Sequence, residues 1–422
     1  MSDLRPAAHA AAEAVDAALV TEDLVALVRV PSVTGDETAM AGILADRLEA
    51  LGMSVEVFHP DPAAIREDPA WPGEEVARTA LPVVIGRAGR GGGLRLVLSG
   101  HFDVVPTGDR ATWTGDPWSG DISDGDLYGR GACDMKGGVA SILGAVRALG
   151  DSGALDRLEG ELIVAFVPSE EDGGQGTLAA IRAGATGDMA IITEPSQLDV
   201  VVAHAGAITF RLTVPGRAAH ASRRTEGISA LENLQTLVRA LEADEARRNE
   251  AETDPLMTAI GLPYPTIIGI VSGGVWPSTV MDQVVAEGRY GVKLGQSPEA
   301  AFDELRACIE AACAADPFLR MHRPSVEITG ARFATARVAE DHPLPVGLAT
   351  VAEAITGRRP ATIGVPYGAD MRLFVTVGVT PCVIFGPGDV RVAHSANERV
   401  PLEEVEACAR VLAAWVAEEL GA

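Results

Sequence analysis

Lysine, aromatic residues and long apolar runs are scarce in this sequence of 422 residues. Only Lys136 and Lys293 are lysines, aromatic residues make up 4% of the chain, and the formal net charge is −25. This excess of negative over positive charge argues against nucleic acid or an anionic membrane as a partner, because both bind basic surfaces. No run approaches the roughly 18 apolar residues that span a bilayer. We therefore expect neither a nucleic-acid nor a membrane partner.

Cysteine is also sparse. The five cysteines are odd in number and lack paired CxxC spacing, so they predict neither a disulfide framework nor a thiolate zinc site. Charged residues interrupt the first 20 residues, which therefore lack the apolar core of a secretory signal, and we expect a cytoplasmic protein. The 47% hydrophobic content allows a large core, and the length suggests two or more domains.

Helix and strand patterns alternate along the first 200 residues. The spacing predicts helical character over Ala7–Leu19, and a helix from Thr21 to Val30 that ends before Pro31. Buried strands are predicted near Leu94–Leu98 and Glu161–Val167 from their unbroken apolar runs. This alternation is typical of an α/β domain with a central mixed, largely parallel sheet and flanking helices.

The pattern changes at about residue 205. Alternating strands and two amphipathic helices then follow in a β-α-β-β-α-β order, which predicts a smaller α+β, ferredoxin-like domain with an antiparallel sheet. The chain returns to its first pattern near residue 330. We therefore predict an inserted domain at 206–329 within a catalytic domain formed by 1–205 and 330–422.

Acidic and imidazole side chains follow the predicted strands. His101 and Asp103 end one strand and are two residues apart, so both can face one pocket, with Asp103 holding the imidazole from behind. Asp134 precedes a predicted helix, where a single Asp is more often an N-cap than a ligand. Glu170 and Glu171 can reach the same site only where their strand breaks, as the following Asp-Gly-Gly indicates.

With Glu194 and His394, these residues suffice for a site that binds two metal ions. Carboxylates and neutral imidazoles suit zinc, with cobalt or manganese as substitutes, and one carboxylate can bridge two ions. Taken singly, an adjacent pair of glutamates is usually solvated and a lone histidine is usually structural. Their order and glycine context are the specific signal.

Several motifs resemble one enzyme family across nearly the whole chain. They are Gly100-His-Phe-Asp-Val-Val-Pro106, Trp113–Pro117, Asp124–Gly138, Ser169-Glu-Glu171, Thr193-Glu-Pro195 and Ala393-His-Ser395. They resemble the acetylornithine deacetylase, succinyl-diaminopimelate desuccinylase, aminoacylase and carboxypeptidase G family of zinc metallohydrolases.

That resemblance implies a role for each residue at the site. Asp134 would bridge two Zn²⁺ ions, His101 and Glu194 would complete one ion's ligands, and Glu171 and His394 the other's. Asp103 would orient His101. Glu170 would be the general base that takes a proton from a metal-activated water and returns it to the leaving amine.

The resemblance also implies a lid domain that pairs in a homodimer. His220, in Gly216-Arg-Ala-Ala-His220, resembles the family's dimerisation-domain histidine, which reaches the partner's active site and donates to the oxyanion. Ser278 stands where many relatives have an asparagine, so whether it replaces that contact is open. Arg289 and Arg372 resemble substrate-binding positions.

The leading hypothesis is a metal-dependent amidohydrolase that deacylates an N-acylated amino acid or similar small amide, as acetylornithine deacetylase does. A di- or carboxypeptidase, or an N-formyl (thiamin-salvage pyrimidine) deformylase, is the enzymatic alternative. A non-catalytic binder of acylated metabolites on the same fold is the alternative from another class.

Overall fold

The computed structural model describes residues 4–422, which fall into two compact units. The first unit contains residues up to Val202, Arg337–Ile363 and Asp370–Ala422, and the second contains Ala203–Ala336 and Gly364–Ala369. The helices are α1 Pro6–Glu13, α2 Ala17–Val28, α3 Thr38–Ala50, α4 Pro62–Arg66, α5 Gly137–Asp151, α6 Gln175–Arg182, α7 Ala230–Glu250, α8 Pro255–Thr258, α9 Pro298–Ala315, α10 Pro343–Thr356, α11 Met371–Thr376 and α12 Leu402–Glu419. The strands are β1 Ser54–Phe58, β2 Val83–Gly89, β3 Arg95–His101, β4 Asp121–Ser123, β5 Asp126–Tyr128, β6 Glu161–Val167, β7 Met189–Ile192, β8 Val200–His204, β9 Gly206–Pro215, β10 Thr266–Gly273, β11 Gln283–Val292, β12 Ser325–Phe333, β13 Ala336–Arg337, β14 Thr362–Val365, β15 Cys382–Ile384 and β16 Arg399–Pro401.

A mixed sheet forms the centre of the first unit. Its strand order is β1-β2-β6-β3-β7-β15-β8-β13, with β14 beside β8. The pairs β6–β3, β3–β7 and β7–β15 are parallel, whereas β1–β2, β2–β6 and β15–β8 are antiparallel. Helices pack around this sheet, α5 on β3, α6 on β2 and β6, and α11 on β15. The central mixed sheet with flanking helices predicted from the sequence is confirmed, and its three parallel pairs lie together between antiparallel ones.

The parallel register brings three strand ends to one edge. His101 at the end of β3 is level with Val167 at the end of β6, and Ser99 is level with Ile192 at the end of β7. Carboxyl ends of neighbouring parallel strands are where such sheets place ligands. The residues that follow β3, β6 and β7 therefore lie next to one another at the same edge of the sheet.

One predicted helix boundary was wrong. The helix expected from Thr21 begins at Ala17, because the Asp16 carboxylate caps it by accepting from Ala18 N at 2.9 Å and Leu19 N at 3.2 Å. The helical character expected over Ala7–Leu19 is accordingly divided between the separate helices α1 and α2.

The second unit is built on a four-stranded antiparallel sheet in the order β10-β11-β9-β12. Helices α7 and α9 pack on β9 and β11 around a core that includes Phe210, Leu237 and Leu305. The chain order β-α-β-β-α-β with this spatial order is the ferredoxin-like arrangement expected from the sequence. Segment 206–329 lies inside this unit.

Residues 203–205, 330–336 and 364–369, which the sequence placed in the catalytic domain, also belong to this second unit. The reason is close packing, since Gly364 lies against Leu256, and a Cβ at Gly368 would come within 2.5 Å of the Phe333 side chain. Among residues 4–422, none of the helices is both long enough and apolar enough to cross a membrane.

Candidate dinuclear metal site

Five segments of the first unit supply the candidate ligands. His101 is the last residue of β3, Glu170 and Glu171 follow β6, and Glu194 follows β7. The remaining two are Asp134, in the turn Ala132–Lys136 that precedes α5, and His394, which follows a short 3-10 turn at Val390–Val392.

Asp134 lies at the centre of this cluster. Its Oδ1 is 3.1 Å from Nε2 of His101, and its Oδ2 is 3.3 Å from Nε2 of His394. Glu194 Oε1 is 3.5 Å from the same His101 nitrogen, and Glu171 Oε2 is 3.0 Å from the same His394 nitrogen. Each imidazole therefore lies beside one Asp134 oxygen and one further carboxylate, and such a donor set can hold cations with Asp134 as a shared ligand.

Asp134 is not an N-cap. Helix α5 begins at Gly137, and its N-terminus receives no side-chain cap. Asp134 itself has a non-helical backbone, with φ −119° and ψ 94°, and its carboxylate turns toward the imidazoles.

Asp103 contacts the His101 imidazole through two of its oxygens. Nδ1 of His101 lies 2.9 Å from the backbone carbonyl oxygen of Asp103 and 3.5 Å from its Oδ1. The Asp103 carboxylate also accepts hydrogen bonds from the backbone N–H groups of Glu170 at 3.1 Å and Glu171 at 3.3 Å. These hydrogen bonds link the backbone of the two glutamates to the segment that follows β3, and the Asp103 side chain that accepts them is fully buried.

The turn that carries Glu170 and Glu171 is held by a residue that sequence reasoning missed. Arg78 is buried and donates to Asp172 Oδ1 at 2.8 Å and to Glu37 Oε1 at 3.0 Å. Segment 60–82 is rich in proline and charge, and a single arginine in such a segment gives no periodic signal. Only the fold shows that this arginine points inward.

Glu398 and Arg130 were also missed. The buried Glu398 accepts hydrogen bonds from Cys133 N and Asp134 N, both at 3.0 Å, and pairs with Arg130 at 2.5 Å. The only sequence signals are an arginine in a Gly-Arg-Gly turn and a glutamate four residues after His394.

Crowding of buried carboxylates perturbs the site's protonation. Burial raises the pKa of Glu194 to about 7, and it raises the pKa of Glu170 well above its usual value, with further increases from the charges of Glu194 and Asp370. Burial and the charge of Asp134 raise the pKa of Glu171. So many acids in one buried pocket are electrostatically unfavourable unless cations compensate them.

Histidine contacts act in the opposite direction on Asp134. Burial raises the pKa of Asp134, but hydrogen bonds with His101 and His394 outweigh this effect and hold it below the usual range. Hydrogen bonds with Asp134 and Glu171 raise the pKa of the half-exposed His394 to about 11.

The donor set fits divalent metal ions. Ligand atoms of His101, Glu170 and Glu194 lie within 4.8 Å of one another, as do those of His101, Asp134 and Glu171. Within residues 4–422, Oε1 of Glu171 is a buried oxygen without a hydrogen-bond partner. A buried carboxylate oxygen left unpaired among imidazoles is suited to coordinate a cation.

Arg372 is buried rather than open to a substrate. Its Nη2 donates to the carbonyl oxygen of Gly173 at 2.6 Å, and its Nη1 lies 3.4 Å from Asp370. These contacts favour a role in holding the turn after Glu171 over the substrate contact suggested by the sequence.

The other predicted substrate residues belong to the second unit. His220 is exposed and forms a β-bridge with Thr279, and the neighbouring Ala221 N donates to Ser278 O at 2.9 Å. The structure therefore brings the His220 and Ser278 segments side by side. Arg289 lies on β11 with its guanidinium 5.3 Å from the centre of the Phe333 ring.

A model of peptidase family M20/M25/M40 matches residues 97–418, which include every residue of this cluster. The chain belongs to that family. This match, with relatives that include succinyl-diaminopimelate desuccinylases, confirms the family resemblance found in the sequence. An M20/M25/M40 hydrolase acts on amide or peptide bonds with the help of metal ions, and the donor set described above suits that activity.

Individual relatives span most of the chain. A succinyl-diaminopimelate desuccinylase of Methylorubrum extorquens is 30% identical over 395 residues, which are 90% of this chain and 94% of the relative. An N-formyl-4-amino-5-aminomethyl-2-methylpyrimidine deformylase of Halalkalibacterium halodurans is 27% identical over 76% of this chain and 78% of its own length. The crystal structure of human carnosine dipeptidase 1 covers 100% of both chains with a TM-score of 0.75 and 17% identity, which shows a shared fold.

Proposed function

We propose that this M20/M25/M40 hydrolase removes the acyl group from an N-acylated amino acid or a similar small amide, with two metal ions bound around Asp134. The observation that carries the proposal is the position of the Asp134 carboxylate, 3.1 Å from His101 and 3.3 Å from His394, with a further acid beside each imidazole. The relatives' desuccinylase and deformylase names support linear amides as the substrate class.

Glu170 is proposed as the general base. It is 8% exposed, its N–H is fixed by Asp103, and unlike Glu171 it forms no ion pair with His394. Divalent ions held by His101, Asp134 and Glu194 or by Asp134, Glu171 and His394 would supply Lewis acidity. Glu170 is placed to accept a proton from the attacking water, whose oxygen bonds to the acyl carbon, and to deliver that proton to the amine nitrogen as the carbon–nitrogen bond breaks.

Zinc is the proposed metal, with cobalt or manganese as substitutes. Two imidazoles and several carboxylates, without cysteine, match the ligand preferences of these ions. Metal analysis of the purified protein tests this directly, and we expect two ions per chain. Dialysis against a chelator should abolish amide hydrolysis, and added Zn²⁺ should restore it. Full activity with no bound metal would refute the proposal.

The acyl group is tested with a substrate panel at equal concentrations. We expect N-acyl amino acids, including N-succinyl-diaminopimelate and N-acetylornithine, to be hydrolysed faster than dipeptides or N-formyl pyrimidines. Preferred hydrolysis of a formamide would favour the deformylase alternative, which the relative from Halalkalibacterium halodurans supports. Preferred hydrolysis of dipeptides would favour the peptidase alternative. Metal binding with no turnover of any amide would favour the non-catalytic binder.

A homodimer formed through the second unit is also proposed. Its edge strand β10 exposes apolar side chains at Ile267, Ile270 and Val271, which are 56%, 59% and 52% exposed. An exposed apolar edge strand is a template for pairing with another chain. Light scattering should report twice the monomer mass, and Ile270→Lys should shift the protein toward monomer.

His220 is proposed to act at the active site of the partner subunit as an oxyanion donor. Removal of one such donor costs about 10²–10³-fold in kcat. Mixing His220→Asn chains with Glu170→Gln chains should restore part of the activity if the two sites are shared between subunits. No recovery in the mixture, with a dimer present, would refute this role.

A further inference from the structure

Glu398 is buried beside the candidate metal site but has no part in the roles assigned above. Its Oε1 accepts hydrogen bonds from two consecutive backbone N–H groups, those of Cys133 and Asp134, each at 3.0 Å. Its Oε2 lies 2.5 Å from Nη1 of Arg130. The exposed fractions of Glu398 and Arg130 are 0% and 2%, so both groups depend on each other for charge compensation.

Arg130 anchors this pair to the rest of the first unit. Its Nη2 donates to the carbonyl oxygen of Pro106 at 3.3 Å, and its backbone N–H donates to Pro117 O at 2.8 Å. Its guanidinium lies 5.3 Å from the centre of the Trp113 ring. The carboxylate of Glu398 is therefore held from the side opposite to Asp134.

Asp134 needs such a support because no helix provides one. Its φ of −119° and ψ of 94° place it outside helical geometry, and α5 begins only at Gly137. Its two carboxylate oxygens face different imidazoles, 3.1 Å from His101 and 3.3 Å from His394. A small displacement of the Asp134 backbone would alter both cation positions at once.

We propose that Glu398 is a positioning residue that fixes the Asp134 carboxylate between His101 and His394 by accepting the Cys133 and Asp134 N–H groups. This inference rests on the proposed metal-dependent function. In this role Glu398 acts through the backbone of Asp134 and not as a ligand of an ion or substrate. Glu398 lies four residues after His394 and immediately before β16. Its hydrogen bond to Asp134 therefore links the segment that supplies His394 to the segment that supplies the shared carboxylate.

Glu398→Gln separates the two halves of this interaction. If the glutamine oxygen faces the two backbone N–H groups, its NH2 group faces the N–H donors of Arg130. If the oxygen faces Arg130, the NH2 group faces the two backbone N–H groups, so one pair of donors is opposed in either orientation. Substitution of a residue that supports a metal ligand typically weakens metal affinity about 10–100-fold. We expect a loss of this size for Co²⁺, measured by chelator competition and by the visible absorption of the bound ion.

A double variant tests the reason for that loss. In Glu398→Gln with Arg130→Met, the glutamine oxygen is free to accept the two backbone N–H groups with no opposing donor, so we expect Co²⁺ affinity to recover at least several-fold. Glu398→Asp is the second single variant, because it keeps the charge but withdraws the carboxylate by one carbon–carbon bond, ~1.5 Å. Glu398→Asp should therefore weaken Co²⁺ binding too, and it provides the test if Glu398→Gln does not fold.

Asp23→Asn is the matched control. Asp23 is a buried carboxylate, 4% exposed, that pairs with Arg47 and Arg147 and contacts no site residue. It should lower stability without changing Co²⁺ affinity. Wild-type Co²⁺ affinity in folded Glu398→Gln and Glu398→Asp, or an equal loss in Asp23→Asn, would overturn the inference. Failure of the wild-type chain to bind Co²⁺ would overturn the proposed metal-dependent function as well, which distinguishes the two failures.

Discussion

Replacement of Glu170 by glutamine is the sharpest test of the chemistry, because the cluster allows two roles for this residue. Ligand atoms of Glu170, His101 and Glu194 lie within 4.8 Å of one another, so Glu170 is close enough to bind an ion. Glu171, however, is the glutamate paired with His394, at 3.0 Å. We therefore predict that Glu170 transfers the proton and Glu171 binds the metal.

The magnitude follows from the role. Loss of a general base typically costs about 10²–10⁴-fold in kcat, which corresponds to about 2.7–5.4 kcal/mol of transition-state stabilisation. Glutamine preserves the size of the side chain, and the Glu170 N–H bond to Asp103 at 3.1 Å involves only the backbone. The turn should therefore keep its shape, and KM should change little.

The assay combines steady-state kinetics with metal analysis of the same preparation. Glu170→Gln should retain two ions per chain with a greatly reduced kcat, whereas the matched variant Glu171→Gln should lose metal. Loss of an ion in Glu170→Gln with retained metal in Glu171→Gln would reverse the two assignments. Near-normal kcat in Glu170→Gln would refute the general-base role altogether.

Two further predictions concern packing and charge. Gly138→Ala would bring a Cβ within 2.1 Å of Thr193 O, next to a ligand segment, so we expect a loss of about 1–3 kcal/mol in stability and weaker metal binding. Gly150→Ala in the same helix meets no atom within 4 Å and should be neutral or stabilising, and an equal loss there would contradict the packing argument. Asp68 accepts two hydrogen bonds from Arg182, at 2.7 and 2.9 Å, and these hold its pKa below 3.8. Its stabilisation is therefore present above pH 3.8 and lost as the pH falls through the lowered pKa, so thermal melts should show a deficit for Asp68→Asn at pH 6 that shrinks below pH 3.8. A deficit independent of pH would show that the ion pair is not its cause.

The sequence predicted the candidate site better than it predicted the site's supports. Strand ends are a local signal, and parallel strands place their carboxyl ends at one edge, so His101, the two glutamates and Glu194 could be gathered from chain order alone. The Asp16 cap of α2 was an equally local signal, and the prediction of a start at Thr21 overlooked it. His394 required the motif resemblance, because no strand leads directly into it.

The supports could not be predicted, because each depends on a contact between residues far apart in the chain. Glu398 reaches Asp134 across 264 residues, and Arg78 reaches Asp172 across 94. Asp103 was expected to face His101 through its carboxylate, from the alternation of an extended strand. Its carboxylate does lie 3.5 Å from the imidazole, but the backbone carbonyl is closer, at 2.9 Å, and the carboxylate also accepts hydrogen bonds from the glutamate turn, which the alternation did not predict.

The sequence by itself therefore determined the family, the fold class and the residue types at the candidate metal site, because periodicity and glycine-bounded motifs are local properties of the chain. Only the tertiary structure decided which groups hold those residues in place: the Asp103 carboxylate on the glutamate turn, Arg78 on Asp172, and Glu398 on Asp134. The physical reason is that a buried polar group must find a partner wherever the packed fold brings one within hydrogen-bonding distance, and nothing in the local sequence specifies that partner.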